Sequence, residues 1–355
     1  MNSITAFVIV LGVLVFFHEL GHFLVARLCG VGVEIFSLGF GPRVFGKQVG
    51  RTDYRVSAIP LGGFVKMVGE EPDAEIDPAD IPVSFTDKSV YKRILIVAAG
   101  PMFNLLLAVV IFFSIFQVSG TYILKPVVGA VKENTPAFRA GLQEGDRIGA
   151  INGTEIESWE EMSAFISESN GRPIEMIVER NGTRTSVKIT PEMTTTKNLF
   201  GEDTRRFVIG ITAAGEFFSR DLNPIQALGE SIAQTFEITK LTVLSIVKLV
   251  QGSVSTDTLG GPIMIAQMAG EQAREGATNL VFFIALLSIN LAILNILPIP
   301  VLDGGHLLFF FIEAVRGKPV NTRIREIAQQ AGIFVLLLLM IFVFYNDITR
   351  LFYAS

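Results

Sequence analysis

Four stretches of the chain are long, apolar and almost free of charged side chains. A helix needs roughly 20 mainly apolar residues to cross a bilayer core about 30 Å thick. The stretches that meet this requirement are residues 4–26, which contain a single acid, 94–118, 277–302 and 327–346. The pattern predicts an α-helical polytopic membrane protein with four transmembrane helices. A cleaved signal peptide is a weaker interpretation of the first stretch, because no basic residue precedes it.

The distribution of lysine and arginine predicts the orientation of these helices, because cytoplasmic loops are enriched in both. The loop 27–93 contains nine of them, and the short loop after the third helix contains Arg316, Lys318, Arg323 and Arg325. Both loops are therefore expected in the cytoplasm. Both chain ends and the long segment 119–276 are then expected outside it.

Composition narrows the possible functions. Half of the residues are apolar and 18% are charged, against about 25% charged in soluble domains. The net charge of −5 provides no basic surface that would bind nucleic acid. The single cysteine, Cys29, excludes an intramolecular disulfide and a cysteine-rich zinc site.

The segment between the second and third apolar stretches has the pattern of a small α+β domain. Short strands are predicted at 127–131 and 174–180, with an amphipathic helix at 159–169. The string NTPAFRAGLQEGDRIGAINGTEI, residues 134–156, resembles the PDZ domain of bacterial membrane and periplasmic proteases. PDZ domains commonly bind an extended peptide as an added strand. A spacer or size filter that binds nothing remains the alternative.

Apolar residues also recur at helical spacing over residues 224–250. This amphipathic helix is expected either at the outer membrane surface or packed against the rest of the protein. The chain then divides into four segments. These are 1–118, with two transmembrane helices and a cytoplasmic loop; 119–193, the extracytoplasmic PDZ domain; 194–276, an extracytoplasmic linker with the amphipathic helix; and 277–355, with the last two transmembrane helices.

The first apolar stretch contains the sequence His18-Glu19-Leu20-Gly21-His22. In a helix, residues four apart lie on one face, so both imidazoles can bind one metal ion. Glu19 directly follows the first histidine, where it can take a proton from a water molecule at the metal. Ionisable residues within a membrane helix are costly and usually functional. The motif therefore predicts a catalytic metal site inside the bilayer, towards its cytoplasmic side.

A hydrolytic zinc site usually has three protein ligands and one open position. Asp303 is the only acid near the cytoplasmic end of the third apolar stretch, at the depth expected for His22. Pro298 and Pro300 interrupt the helix just before it, and irregular backbone at this depth must line a cavity or be buried in protein. We therefore predict Asp303 as the third ligand. His306 competes for that role, although a supporting or structural role suits it better.

Taken together, these motifs resemble those of the bacterial site-2 proteases, which are intramembrane zinc metalloproteases. The motifs that carry the resemblance are HELGH, Asn295 to Gly304 (NILPIPVLDG), Gly100-Pro101-Met-Phe-Asn104 and the PDZ domain between helices two and three. The resemblance implies that Asn295, Pro298 and Pro300 hold the substrate beside the metal, with Asn290 as a weaker candidate. It also implies that residues 33–69 form a membrane-associated β-hairpin whose edge strand receives an unwound substrate.

The function implied is regulated intramembrane proteolysis in the bacterial inner membrane. Substrates would be single-pass proteins such as anti-sigma factors and remnant signal peptides, after a first extracytoplasmic cut. Zn²⁺ would be bound by His18, His22 and Asp303, with Glu19 as the catalytic base. Two alternatives remain, namely a membrane-anchored PDZ scaffold and a zinc peptidase acting outside the bilayer plane.

Overall fold

The computed structural model describes residues 2–70, 76–198, 200–254 and 260–353. Its α-helices, in chain order, are α1 Ser3–Leu28, α2 Val90–Ser119, α3 Pro136–Arg139, α4 Trp159–Glu168, α5 Pro224–Val250, α6 Pro262–Glu275, α7 Ala277–Ile296, α8 Asp303–Arg316 and α9 Thr322–Tyr353. Its strands are β1 Val33–Val49, β2 Thr52–Met67, β3 Thr121–Leu124, β4 Val128–Val131, β5 Arg147–Ile151, β6 Thr154–Glu155, β7 Ile174–Arg180, β8 Thr183–Ile189, β9 Glu192–Lys197, β10 Asp203–Val208, β11 Ile211–Ala213 and β12 Phe217–Arg220.

Within the described residues, four helices are long and apolar enough to cross a membrane, as predicted. They are α1, α2, α7 and α9. The third ends at Ile296 rather than at the predicted residue 302, because Leu297 adopts an extended conformation before Pro298. The other three extend past their uncharged cores, since flanking polar residues continue a helix without adding hydropathy.

The chain divides into two compact units. The helical unit contains residues up to 114, 228–247 and the chain after 254, and the strand-rich unit contains residues 115–227 and 248–254. In the helical unit, α1 packs against α6, α7 and the β1–β2 hairpin. One buried cluster joins the end of α1 to the hairpin, α2 and α8, through Ala26, Val33, Phe36, Val65, Ile96 and Phe310.

Strands β1 and β2 pair as an antiparallel hairpin, and both strands are strongly bent. Residues 35–38 of β1 pair with 63–66 of β2 on one side and are aligned with 53–56 on the other, while 43–49 pair with 52–57. Two long strands therefore give four sheet segments, of which 43–49 and 63–67 are the outer ones. The segment 63–67 lies against α1, since a Cβ on Gly63 would be 2.7 Å from Val15 Cγ1.

The strand-rich unit contains the predicted helix and strands at α4, β4 and β7. Its four-stranded sheet has the order β6-β5-β7-β8, and its core includes Ile148, Met162, Met176 and Ile209. The paired strands extend beyond the predicted domain end at 193, because β11 pairs with β4 and β12 with β3. These pairings join short strands that are about 80 to 100 residues apart along the chain, and such distant partners leave no local sequence signal.

Candidate metal centre

The structure brings His18, His22 and Asp303 together. The two histidines lie one turn apart on α1, and their Nε2 atoms are 3.3 Å apart. Asp303 Oδ2 lies 3.1 Å from His18 Nε2 and 3.5 Å from His22 Nε2. The three potential ligand atoms lie within 4.8 Å of one another.

The same three atoms are better placed to bind a metal ion than to form hydrogen bonds with one another. Asp303 Oδ2 is buried and accepts no well-directed hydrogen bond from the described residues, despite its two imidazole neighbours. A buried carboxylate oxygen without a hydrogen bond is costly. Two imidazole nitrogens and one carboxylate oxygen are a common zinc ligand set that leaves a fourth position open.

His22 is oriented by the backbone of α2. Its Nδ1 lies 2.9 Å from the Ile96 carbonyl oxygen, to which it donates a hydrogen bond. The proton on Nδ1 leaves the lone pair of Nε2 directed towards Asp303 and His18. Metal-binding histidines usually donate their second N–H in this way.

His18 is contacted by Asn104 of the Gly-Pro-Met-Phe-Asn motif. Asn104 Nδ2 is 3.2 Å from His18 Nδ1, and Asn104 Oδ1 is buried without a partner. A half-turn of the amide would place Oδ1 opposite Nδ1, where it can accept the imidazole N–H. That arrangement pairs the orphaned oxygen and leaves the lone pair of His18 Nε2 for a metal.

Two glycines make room for this arrangement. A Cβ on Gly100 would lie 2.2 Å from His22 Nε2 and 2.8 Å from His18 Cε1. A Cβ on Gly21 would lie 2.4 Å from the Ala99 carbonyl oxygen. Glycine at these positions therefore allows α1 and α2 to approach closely enough for the imidazoles to lie against α2.

Asp303 is the first residue of α8 and follows the non-helical segment 297–302. Gly304 and Gly305 pack against the backbone of this segment, since their added Cβ atoms would approach the Ile296 and Ile299 carbonyl oxygens within 2.3 Å. Further along α8, Glu313 forms an ion pair with Arg93 of α2, at 2.5 Å. The Arg93 guanidinium also lies 4.9 Å from the centre of the Phe310 ring. The two glycines therefore hold the start of α8, with Asp303, against the preceding segment, and the Arg93 contacts hold the later turns of α8 against α2.

Glu19 lies beside the outer segment of the hairpin. Glu19 and Val65 both line the cavity of the metal centre. A Cβ on Gly63 would lie 3.2 Å from Glu19 Cγ. The edge of β2 and the predicted base therefore share one side of α1.

The four residues predicted to bind the substrate lie at different distances from the metal centre. Asn295 Nδ2 is 3.4 Å from His18 Nε2. Pro298 is exposed and Pro300 half-buried in the segment that precedes Asp303. Asn290 instead accepts a hydrogen bond from Thr242 Oγ1 of α5, at 3.1 Å. Of the four, only Asn295 contacts a predicted ligand within the described part of the chain.

A cavity of about 230 Å³ contains the three potential ligands and Glu19. His306 and Arg325 also line it. Sequence reasoning gave Arg325 only a role in orientation and gave Asn104 no role. The sequence shows Asn104 as part of the Gly-Pro-Met-Phe-Asn motif, but it does not reveal the contact with His18, which is 86 residues away along the chain.

Comparison with known proteins identifies the family. A model of peptidase family M50 matches residues 6–339. The chain belongs to peptidase family M50. It is 38% identical over 361 residues to an Agrobacterium fabrum protein provisionally named a zinc metalloprotease, covering 98% of this chain and 96% of that protein. It is 32% identical over 428 residues to the regulator of sigma-W protease RasP of Bacillus subtilis, covering 99% of both chains.

Among solved structures, the PDZ domain of an SdrC-like protein from Listeria monocytogenes covers 24% of this chain and 84% of its own, with 25% identity and a TM-score of 0.20. The family and its named relatives make this M50 chain a zinc metalloprotease. Together with the four spanning helices, they make it a multi-pass membrane protein.

Proposed function

We propose that this M50 protease hydrolyses peptide bonds within transmembrane segments of its substrates. The observation that carries the proposal is that two of the three converging ligands, His18 and His22, lie on α1, a helix that can span a membrane. His18 lies about 20 Å along the axis of α1 from its start at Ser3. A site at that depth is within reach of a peptide bond in the bilayer.

In this proposal, His18, His22 and Asp303 hold the zinc ion. When bound, zinc supplies Lewis-acid polarisation of a water molecule and of the scissile carbonyl group. Glu19 takes the proton of the water and delivers it to the leaving amine. The hairpin lies beside this side chain, since a Cβ on Gly63 would be 3.2 Å from Glu19 Cγ.

A transmembrane helix hides its carbonyl groups in internal hydrogen bonds, so the substrate must unwind before attack. We propose that the unwound strand is held between the outer hairpin segment 63–67 and the segment from Asn295 to Pro300. An exposed strand edge can pair with an added strand. Asn295 would supply a side-chain amide to the substrate backbone, while Pro298 and Pro300 keep their segment non-helical. The hairpin would lie at the membrane.

The substrates proposed are single-pass membrane proteins that resemble anti-sigma factors, and remnant signal peptides, after a first extracytoplasmic cut. The Bacillus subtilis relative is named a regulator of sigma-W protease, which supports a link to sigma-factor control. In the strand-rich unit, a groove of about 290 Å³ between α4 and residues 206–213 could receive a newly formed carboxyl end.

The proposed orientation places the loop 27–93 in the cytoplasm of a bacterial cell, with both chain ends and the insert outside the inner membrane. A membrane-impermeant thiol reagent should then leave Cys29 unlabelled in intact cells and label a Glu168→Cys variant. Labelling of Cys29 together with protection of residue 168 would invert the orientation.

The test of the function uses the full chain, loaded with zinc, in liposomes with a single-pass peptide. Mass spectrometry of the products should place the cut within the membrane-spanning part of the peptide. Glu19→Gln should abolish cleavage, whereas Glu326→Gln, on the exposed face of α9, should not. A cut outside the bilayer plane would support the alternative zinc peptidase. Cleavage retained in Glu19→Gln would contradict the mechanism.

A further inference from the structure

Arg325 is the one lysine or arginine among the described residues that line the cavity of the metal centre. It lies in the first turn of α9 and is half-buried. The neighbouring basic residues Arg316, Lys318 and Arg323 are exposed. Of the four residues that predicted a cytoplasmic loop, only Arg325 therefore lies at the cavity.

The Arg325 guanidinium has no partner among the residues that the structure describes. Within the described part of the chain, its side chain makes no hydrogen bond and no ion pair, whereas Arg51 and Arg93 each bond to a carboxylate. Glu70, the other acid lining the cavity outside the centre, accepts a hydrogen bond from the Met67 backbone N–H. A cation in the first turn of a helix is also opposed by the helix dipole. The described neighbours of Arg325 thus provide no stabilising contact that would explain a guanidinium at this position.

His306 connects Arg325 to the metal centre electrostatically. Burial lowers the pKa of His306; Asp303 opposes this effect, and the positive charge of Arg325 adds to it. The lowered pKa favours the neutral imidazole. Arg325 is then the fixed positive charge of the cavity wall, close enough to His306 to act on its protonation.

Peptide hydrolysis creates an anion in this cavity. The water oxygen bonds to the carbonyl carbon, the C–N bond breaks, and the amine receives a proton, so the N-terminal fragment ends in a carboxylate. We propose that Arg325 binds this product carboxylate and draws it away from the metal centre. A guanidinium binds a carboxylate through two parallel hydrogen bonds, which a lysine cannot reproduce. This inference rests on the proposed proteolysis.

The test measures binding of product peptides, so it does not require turnover. Two synthetic peptides have the sequence of the N-terminal product and end in a carboxylate or in a carboxamide. Their affinities are measured by fluorescence anisotropy on the zinc-loaded full chain. We expect the preference for the carboxylate to fall about tenfold in Arg325→Gln. Arg325→Lys should restore part of it, and Arg323→Gln should leave it unchanged, with equal zinc content throughout.

The outcomes separate this inference from its rivals. An unchanged carboxylate preference in Arg325→Gln would overturn it. If Arg325→Gln instead removes only a dependence on anionic lipid, Arg325 binds a lipid phosphate and the inference is wrong. If the wild-type chain shows the Arg325-dependent preference but cuts no transmembrane peptide, the carboxylate site stands and the proposed function fails.

Discussion

Replacing Asn104 by leucine should weaken zinc binding without unfolding the protein. Asn104 is fully buried and its amide lies 3.2 Å from His18 Nδ1. Leucine has the same number of side-chain heavy atoms, branched at the same position, but cannot accept a hydrogen bond. In the variant, the Nδ1–H of a zinc-binding His18 would be buried without an acceptor, and the imidazole would lose the contact that fixes its orientation.

The expected loss of zinc affinity follows from comparing His18 in the zinc-bound and zinc-free protein. An unsatisfied buried donor costs about 1–3 kcal/mol, and this cost applies only when Nε2 binds zinc and the proton is on Nδ1. Without zinc, the proton can move to Nε2, opposite Asp303 Oδ2 at 3.1 Å. The penalty therefore falls on the metal-bound state, and zinc affinity should decrease roughly 10- to 100-fold. Folding stability of the zinc-free chain should change little.

Competition with a fluorescent zinc chelator, in detergent, measures the affinity. Asn104→Asp retains an acceptor, so it should bind zinc at least as tightly as the wild type. Ser288→Ala removes the hydrogen bond from Ser288 Oγ to the Asn104 backbone carbonyl, 2.7 Å long, and thus controls for altered packing of α2 on α7. The reasoning is refuted if Asn104→Leu binds zinc normally, or if Asn104→Asp loses as much affinity as Asn104→Leu.

Three further predictions concern the surrounding structure. Gly100→Ala should abolish zinc binding, since its Cβ would lie 2.2 Å from His22 Nε2. The control Gly12→Ala should bind zinc normally, because its Cβ would have no neighbouring atom within 4 Å. Equal zinc content in the two variants would contradict this prediction. Arg93→Met should destabilise the chain to denaturant by about 3 kcal/mol by leaving the half-buried Glu313 unpaired. Adding Glu313→Leu to this variant should recover most of the loss, and additive effects of the two substitutions would exclude coupling. Burial raises the pKa of Asp146, but its hydrogen bonds with Arg180 outweigh this and lower it. Because the pKa of Asp146 is depressed in the folded state, its ionised carboxylate stabilises the fold above the unfolded pKa of about 3.9. This stabilisation is lost as the pH falls from there towards the folded pKa. The melting temperature, followed by Trp159 fluorescence, should therefore decrease as the pH is lowered below 4, and it should decrease less in Asp146→Asn.

The sequence predicted what depends on local spacing. The four helices able to span a membrane follow from apolar runs, and the proximity of His18 to His22 follows from helical periodicity. Asp303 could be selected because it is the only acid beside an apolar stretch interrupted by prolines. The later strands β11 and β12 could not be assigned, since their partners β4 and β3 lie about 80 to 100 residues earlier. The hydrogen bond that Thr242 donates to Asn290 could not be predicted either, because it joins two helices that are distant in sequence.

The arrangement of α2 shows why part of the site could not be read from α1 alone. Ile96, Gly100 and Asn104 are spaced by four residues and therefore share one face of α2. Along that face, Ile96 accepts the hydrogen bond of His22, Gly100 leaves space for both imidazoles, and Asn104 contacts His18. His22 lies opposite Ile96 and His18 lies opposite Asn104. This pairing requires α1 and α2 to run antiparallel. Each helix alone shows only an apolar run with a short motif. Their antiparallel contact gives each histidine a separate partner for its Nδ1 atom and leaves both Nε2 atoms directed towards Asp303.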